Sequence, residues 1–138
     1  MSRVPRAHEH LKTGFTAEAA SAARFRAFAA RAERDGKPHL AAEWRHLAEA
    51  KDELAIRQLE ATGQIRSEAI SIADALAEER FENDVLYPKM IHELGGDAAE
   101  TLASVIQAQR EHAERLNRLR QAVQASRGDI EPEPAATT

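Results

Sequence analysis

Residues 67–93, SEAISIADALAEERFENDVLYPKMIHE, combine a helical period with charges set inside it. Ile72, Ala75, Glu79, Glu82 and Leu86 recur at spacings of three and four, which places them on one face of an α-helix. Ser67 offers a hydroxyl suited to cap the helix start. Pro88, with no N–H to donate, predicts a kink or bend before Met90. A buried helix face is expected to be apolar, yet Glu79 and Glu82 interrupt this one. An unpaired ion is costly to bury, so both carboxylates call for a metal, a counter-charge or hydrogen-bond donors.

Three further helices are expected around this stretch. About one residue in five is alanine, and β-branched and aromatic residues are scarce, so the chain reads as all-α. Breaks fall at Asp35-Gly36-Lys37-Pro38, Thr62-Gly63, Leu94-Gly95-Gly96-Asp97 and Gly128. They predict a first helix capped by Thr16 and running to about Arg34, and a second from about Pro38 to Ala61. A third should run from Ser67 to about Glu93, and a fourth from about Ala98 to Ser126. Residues 1–14 then form an N-terminal segment, 15–127 one four-helix domain and 128–138 a disordered tail, the last because Gly-Asp-Ile-Glu-Pro-Glu-Pro-Ala-Ala-Thr-Thr has little to bury.

Each helix carries one stripe, and every stripe has polar interruptions. The first reads Glu18, Ala22, Phe25, Ala29, Ala32, and the second Leu40, Trp44, Leu47, Lys51, Leu54. The fourth reads Leu102, Val105, Gln109, His112, Leu116, Leu119, Val123. Interruptions in all four helices are expected to meet at one level of a bundle core, as carboxylates and histidine do when they cage a metal. The simpler alternative is a small rotation of each helix that lets these side chains reach water.

Composition narrows the chemistry. The chain has no cysteine, which excludes disulfides, thiolate metal sites, iron–sulfur clusters and a cysteine nucleophile. Any metal must sit on carboxylates and histidines. A net charge of -4 argues against nucleic acid as a partner. No apolar run approaches the length of a membrane span, and residues 1–14 contain no secretory apolar stretch, so a cytoplasmic protein is expected.

The same residues resemble the rubrerythrins of the ferritin-like superfamily over about Lys12 to Val123. Glu79-Arg80-Phe81-Glu82 followed by Leu86-Tyr87-Pro88 is similar to the family's Glu-x-x-Glu and Tyr-Pro signature, in which both carboxylates are iron ligands. Glu18, seven residues before Phe25, resembles the family's first iron-binding glutamate, and Gln109-Arg110-Glu111-His112 aligns with its second Glu-x-x-His. The resemblance implies a ferritin-like four-helix bundle, iron or another divalent metal on Glu18, Glu79, Glu82 and His112, Tyr87 beside the site, and no haem. The family activity it implies is non-haem iron-dependent peroxide reduction or ferrous oxidation. Without cysteine there is no rubredoxin-like domain, so electrons would come from a separate donor.

Three ligand positions depart from that pattern. Lys51-Asp52-Glu53-Leu54 stands at the family's first Glu-x-x-His, with lysine for glutamate and leucine for histidine, and Gln109 replaces a glutamate. Two close metal ions need anionic ligands to offset their mutual repulsion, and Lys51 adds a positive charge. The sequence therefore supports a weakened iron enzyme or, alternatively, a metal-free bundle acting as a structural or partner-binding dimer. In the second reading the Lys51 ammonium replaces the metal charge and pairs with Glu18, Glu79 or Glu82.

A ferritin-like bundle also needs a long crossover between its second and third helices. Here about six residues, Thr62 to Ser67, are available, and they reach ~20 Å fully extended. A direct return calls for about 28 Å at the rise of an α-helix. The linker is therefore expected to continue forward almost as one helix and to deliver the last two helices to a second subunit, giving a domain-swapped homodimer. Glu43 with His46, and His39 with Glu43, lack the companions of a hemerythrin-like site. His8-Glu9-His10 reads as a solvated terminal segment, and Trp44 as core.

Overall fold

The computed structural model describes residues 4–132. Its elements are helices α1 (Val4–Arg34), α2 (Pro38–Ala61), α3 (Glu68–Phe81), a π-helical turn (Glu82–Leu86), α4 (Tyr87–Glu93) and α5 (Gly96–Ala125), and no strand occurs among the described residues. The chain is all-α with four helical segments, the third divided by the π turn. It forms two compact units, residues 1–65 and 66–138.

In the first unit α1 and α2 form a hairpin. Gly36 ends α1 in the left-handed region, φ 72°, with its N–H on the Glu33 carbonyl and the Lys37 N–H on the Ala32 carbonyl. These two bonds satisfy carbonyls that a helix end otherwise leaves open. Pro38 then starts α2 at a position that needs no N–H. Ala22, Ala29, Ala41, Ala48 and Ala55 are all nearly or fully buried, and their spacing of seven places them on one line along each helix. Methyl side chains let the two backbones approach closely. Gly14 continues this economy, since a Cβ there would overlap the Gln58 side chain.

The larger apolar residues lie beside this alanine seam. Leu40, Leu47 and Leu54 are 47%, 46% and 40% exposed, although the sequence stripe placed them in the core. Trp44 is half-buried against Ala29, Ala32 and Ala41. Its ring meets Phe25 at 5.2 Å and Phe28, edge to face, at 5.0 Å. The helix period explains the difference: a stripe three to four residues wide has a flank, and here the alanine flank takes the interhelical contact. Arg26–Asp52 and Arg45–Glu33 ion pairs edge the hairpin.

The start of α1 differs from the expectation. The helix begins at Val4, so most of the expected N-terminal segment is helical, including His8, Glu9 and His10, and Thr16 lies inside the helix and does not cap it. Pro5 falls in the first turn, where its missing N–H costs nothing, and a single interior Gly14 is tolerated for about 1 kcal/mol. Residues 1–3 lie outside the described residues.

The linker also differs. Gly63 takes φ 77° and accepts no helical continuation, Thr62 Oγ1 donates to the Leu59 carbonyl, and residues 64–67 are non-helical. The expected near-continuous helix is thus broken at Thr62-Gly63.

In the second unit α3, the π turn and α4 pack against α5. Ser67 caps α3 as expected, its hydroxyl accepting the Ile70 N–H at 3.3 Å. The disturbance expected from Pro88 takes the form of a widened turn just before it, where the Tyr87 N–H bonds back to the Glu82 carbonyl five residues earlier. Proline cannot donate to the Asp84 carbonyl and its ring crowds it, so the preceding turn expands. Leu76 and Ile106 are buried, and so is Asn83, seven residues after Leu76. After Ala125 the chain leaves the helix, with bends at residues 127–129; residues 133–138 of the expected disordered tail lie outside the described residues. Among the described residues no helix is long and apolar enough to cross a membrane.

Candidate functional site

On the first hairpin the polar residues of the two stripes meet each other. The Lys51 Nζ lies 2.8 Å from Glu18 Oε2, with the side chains 33% and 25% exposed. Glu18 comes from the middle of α1 and Lys51 from the middle of α2, both beside the alanine seam. At this burial the pair is shielded more than a surface salt bridge, so each charge depends on the other. Leu54, one turn further along α2 from Lys51, is apolar and open.

The second hairpin carries the remaining candidates. Gln109 of α5 donates from Nε2 to Glu82 Oε2 at 3.2 Å, so a neutral amide holds the carboxylate. Glu79, Glu82 and Gln109 are half-buried, and Tyr87, just after the π turn, is half-buried too. His112 is exposed on α5. Among buried side-chain atoms, Glu79 Oε2, Asn83 Oδ1 and Gln109 Oε1 here, and Glu18 Oε2 on the first hairpin, have no hydrogen-bond partner, the last meeting the Lys51 ammonium as an ion pair without hydrogen-bond geometry. Asn83 is the residue that the sequence reading missed. Its signal was the seven-residue line through Leu76, hidden because the stripe was drawn through Glu79 and Glu82.

Four positions expected as metal ligands are therefore found as Glu18 on the first hairpin and Glu79, Glu82 and His112 on the second. Among the described residues no three His, Asp or Glu side chains form a group that could hold a metal ion. The donor chemistry does not fit a two-iron centre. An ammonium already pairs with Glu18, Leu54 offers no lone pair where the resemblance calls for imidazole, and the Gln109 amide supplies no charge. What the two hairpins offer instead is an ion pair on one and an acceptor-rich cluster, Glu79, Glu82, Asn83 and Gln109, on the other.

Compared with known proteins, the chain matches no protein-family model and no curated protein.

Proposed function

We propose that this chain is a rubrerythrin-like, ferritin-like bundle protein that has exchanged its metal for an internal ammonium and acts as a structural or partner-binding homodimer. The observation that carries the reading is the Lys51–Glu18 ion pair at 2.8 Å, set at the position where the resemblance calls for an iron-binding glutamate. The homodimer is supported by the open apolar side of the first hairpin. Leu40, Leu47 and Leu54 are each at least 40% exposed in one line with Trp44 and Lys51. Each is already about half covered, so burying the remainder contributes about 1 kcal/mol apiece. In this reading each four-helix bundle takes its first hairpin from one chain and its second from the other, and the dimer is domain-swapped.

One observation favours the rival reading of a surviving, weakened iron oxidoreductase. The buried Glu79 Oε2 has no partner, and a single cation on Glu79, Glu82, His112 and Glu18 would satisfy it. Its electrons would come from a separate donor. Metal content per chain, measured together with light scattering on protein expressed with added iron and manganese, separates the two. A dimer without stoichiometric metal is the expected result. A monomer at micromolar concentration sinks the dimer, and about one metal per chain, lost in Glu82→Ala or His112→Ala, establishes the rival.

A further inference from the structure

The break between α2 and α3 is short, and a side chain holds each end of it. Thr62 is buried, and its hydroxyl donates to the Leu59 carbonyl while accepting the Gln64 N–H. Ser67 caps α3 from the other side. Between them Gly63 takes φ 77°, a region that residues with a Cβ avoid. Apart from its chain neighbours, no atom lies within 4 Å of where a Gly63 Cβ would stand, so conformation alone calls for glycine. The rest of the stretch suits a helix, since no proline occurs between Pro38 and Pro88 and Gln64, Ile65 and Arg66 include no breaker.

The helical register runs through the break. In the first unit the buried line of α2 is Ala41, Ala48, Ala55 and Thr62, and in the second unit Leu76 and Asn83 are buried. All six belong to one series of sevens, in which only Ala69, in the first turn of α3, is exposed. A second series behaves alike. Trp44, Lys51, Gln58, Ile72 and Glu79 are half-buried. The position between Gln58 and Ile72 is Ile65, at 57% the most exposed large apolar side chain among the described residues. Across the break, from Thr62 to Leu76, the drift of a straight helix is about 40°, well inside an apolar face of about 100°. A linker that only turned the chain would have no need to keep either register.

We propose that residues 62–67 are a two-state hinge. Thr62 and Gly63 hold the broken form, and a straight form joins α2 and α3 into one helix with Ile65 in line with Gln58 and Ile72. Straightening gives up the hydroxyl bonds of Thr62 and Ser67. In return it releases Gly63 from the left-handed region and gives the N–H groups of residues 64–67 carbonyl partners four residues back. The use of the hinge rests on the homodimer reading above: the straight form is the arm that carries the second hairpin to another copy, where covering Ile65 favours it.

The test substitutes the hinge in the full chain and follows the amides of residues 64–67 by hydrogen exchange and NMR chemical shifts. Gly63→Ala penalises the left-handed region and improves helix propensity, so it should move the balance toward the straight form about thirtyfold or more. The linker amides should gain protection and helical shifts. Gly63→Asn, which tolerates the left-handed region, should leave the linker broken. Thr62→Val, which loses both hydroxyl bonds, should move it part of the way. A Gly63→Ala linker that stays non-helical, or alanine and asparagine variants that behave alike, would overturn the proposal. So would a parent whose linker amides are already helical and protected. Light scattering on the same samples reads the dimer separately. A linker that turns helical together with a tighter dimer supports both readings, whereas one that turns helical in a persistent monomer supports the hinge and defeats the homodimer.

Discussion

Lys51 and Glu18 face each other across the α1–α2 hairpin at 2.8 Å, and neither is more than a third exposed. Lys51→Met leaves the Glu18 carboxylate beside the alanine seam with no cation. The expected loss is about 1–2 kcal/mol, read from urea unfolding followed by helical circular dichroism. Lys51→Met with Glu18→Leu should regain most of it, because the orphaned charge is then gone. A Lys51→Met protein as stable as the parent would show that the pair contributes nothing.

Under the proposed reading, placing the family's ligand types at positions 51, 54 and 109 should create metal binding. The triple variant Lys51→Glu, Leu54→His and Gln109→Glu is expected to bind ferrous iron saturably in an anaerobic titration, and the parent is expected to show no such saturation. No gain in bound iron would count against the view that these three positions replaced a metal site.

The alanine seam has no room for larger side chains. Ala48 is 1% exposed and Ala41 fully buried. Ala48→Leu should force the helices apart and cost about 1–3 kcal/mol, whereas Ala50→Leu on the exposed side of α2 should be nearly neutral. Equal midpoints for the two variants would contradict close packing along the seam.

Leu47 separates the stability of the hairpin from the proposed dimer. Because it stands off the seam and is 46% exposed, Leu47→Ser should leave helical content unchanged while light scattering shows the dimer falling to monomer. Retention of the dimer would place its interface elsewhere.

The Ser67 hydroxyl holds the first turn of α3 through the Ile70 N–H. Ser67→Ala should cost about 1 kcal/mol, visible as a lower thermal midpoint with intact α1 and α2. Ser67→Asp should be tolerated, as its carboxylate can take the same N–H and favours a helix start.

Punctuation was the most legible part of the sequence. Gly36 with Pro38 placed the α1–α2 turn, Ser67 placed the start of α3, and Ala61 closed α2 as expected, because each residue acts through its own backbone geometry. The start of α1 was not legible, since Thr16 is a good cap residue and nothing local says that helix continues behind it to Val4. The stripe of α2 was found, but its rotation was not. Alanine suits both a core and a surface, so only the packed hairpin distinguishes Ala41, Ala48 and Ala55 from the leucines beside them. At the candidate site, Lys51 with Glu18 and Gln109 with Glu82 are seen in contact. Asn83 escaped because the stripe was drawn through Glu79 and Glu82, whereas the buried line passes through Leu76 and reaches Asn83 at the regular spacing of seven.

The alanine seam divides labour within the first hairpin. The approach of its backbones is set at Ala22, Ala29, Ala41, Ala48 and Ala55, and apart from Trp44, which packs on Phe25 and Phe28, the larger side chains of α2 stand on a face beside that line. That face can change its charges, its apolar content or its ligands while the hairpin beneath stays the same. Lys51 stands on that face, so exchanging its charge alters what the surface can hold without asking the two backbones to move.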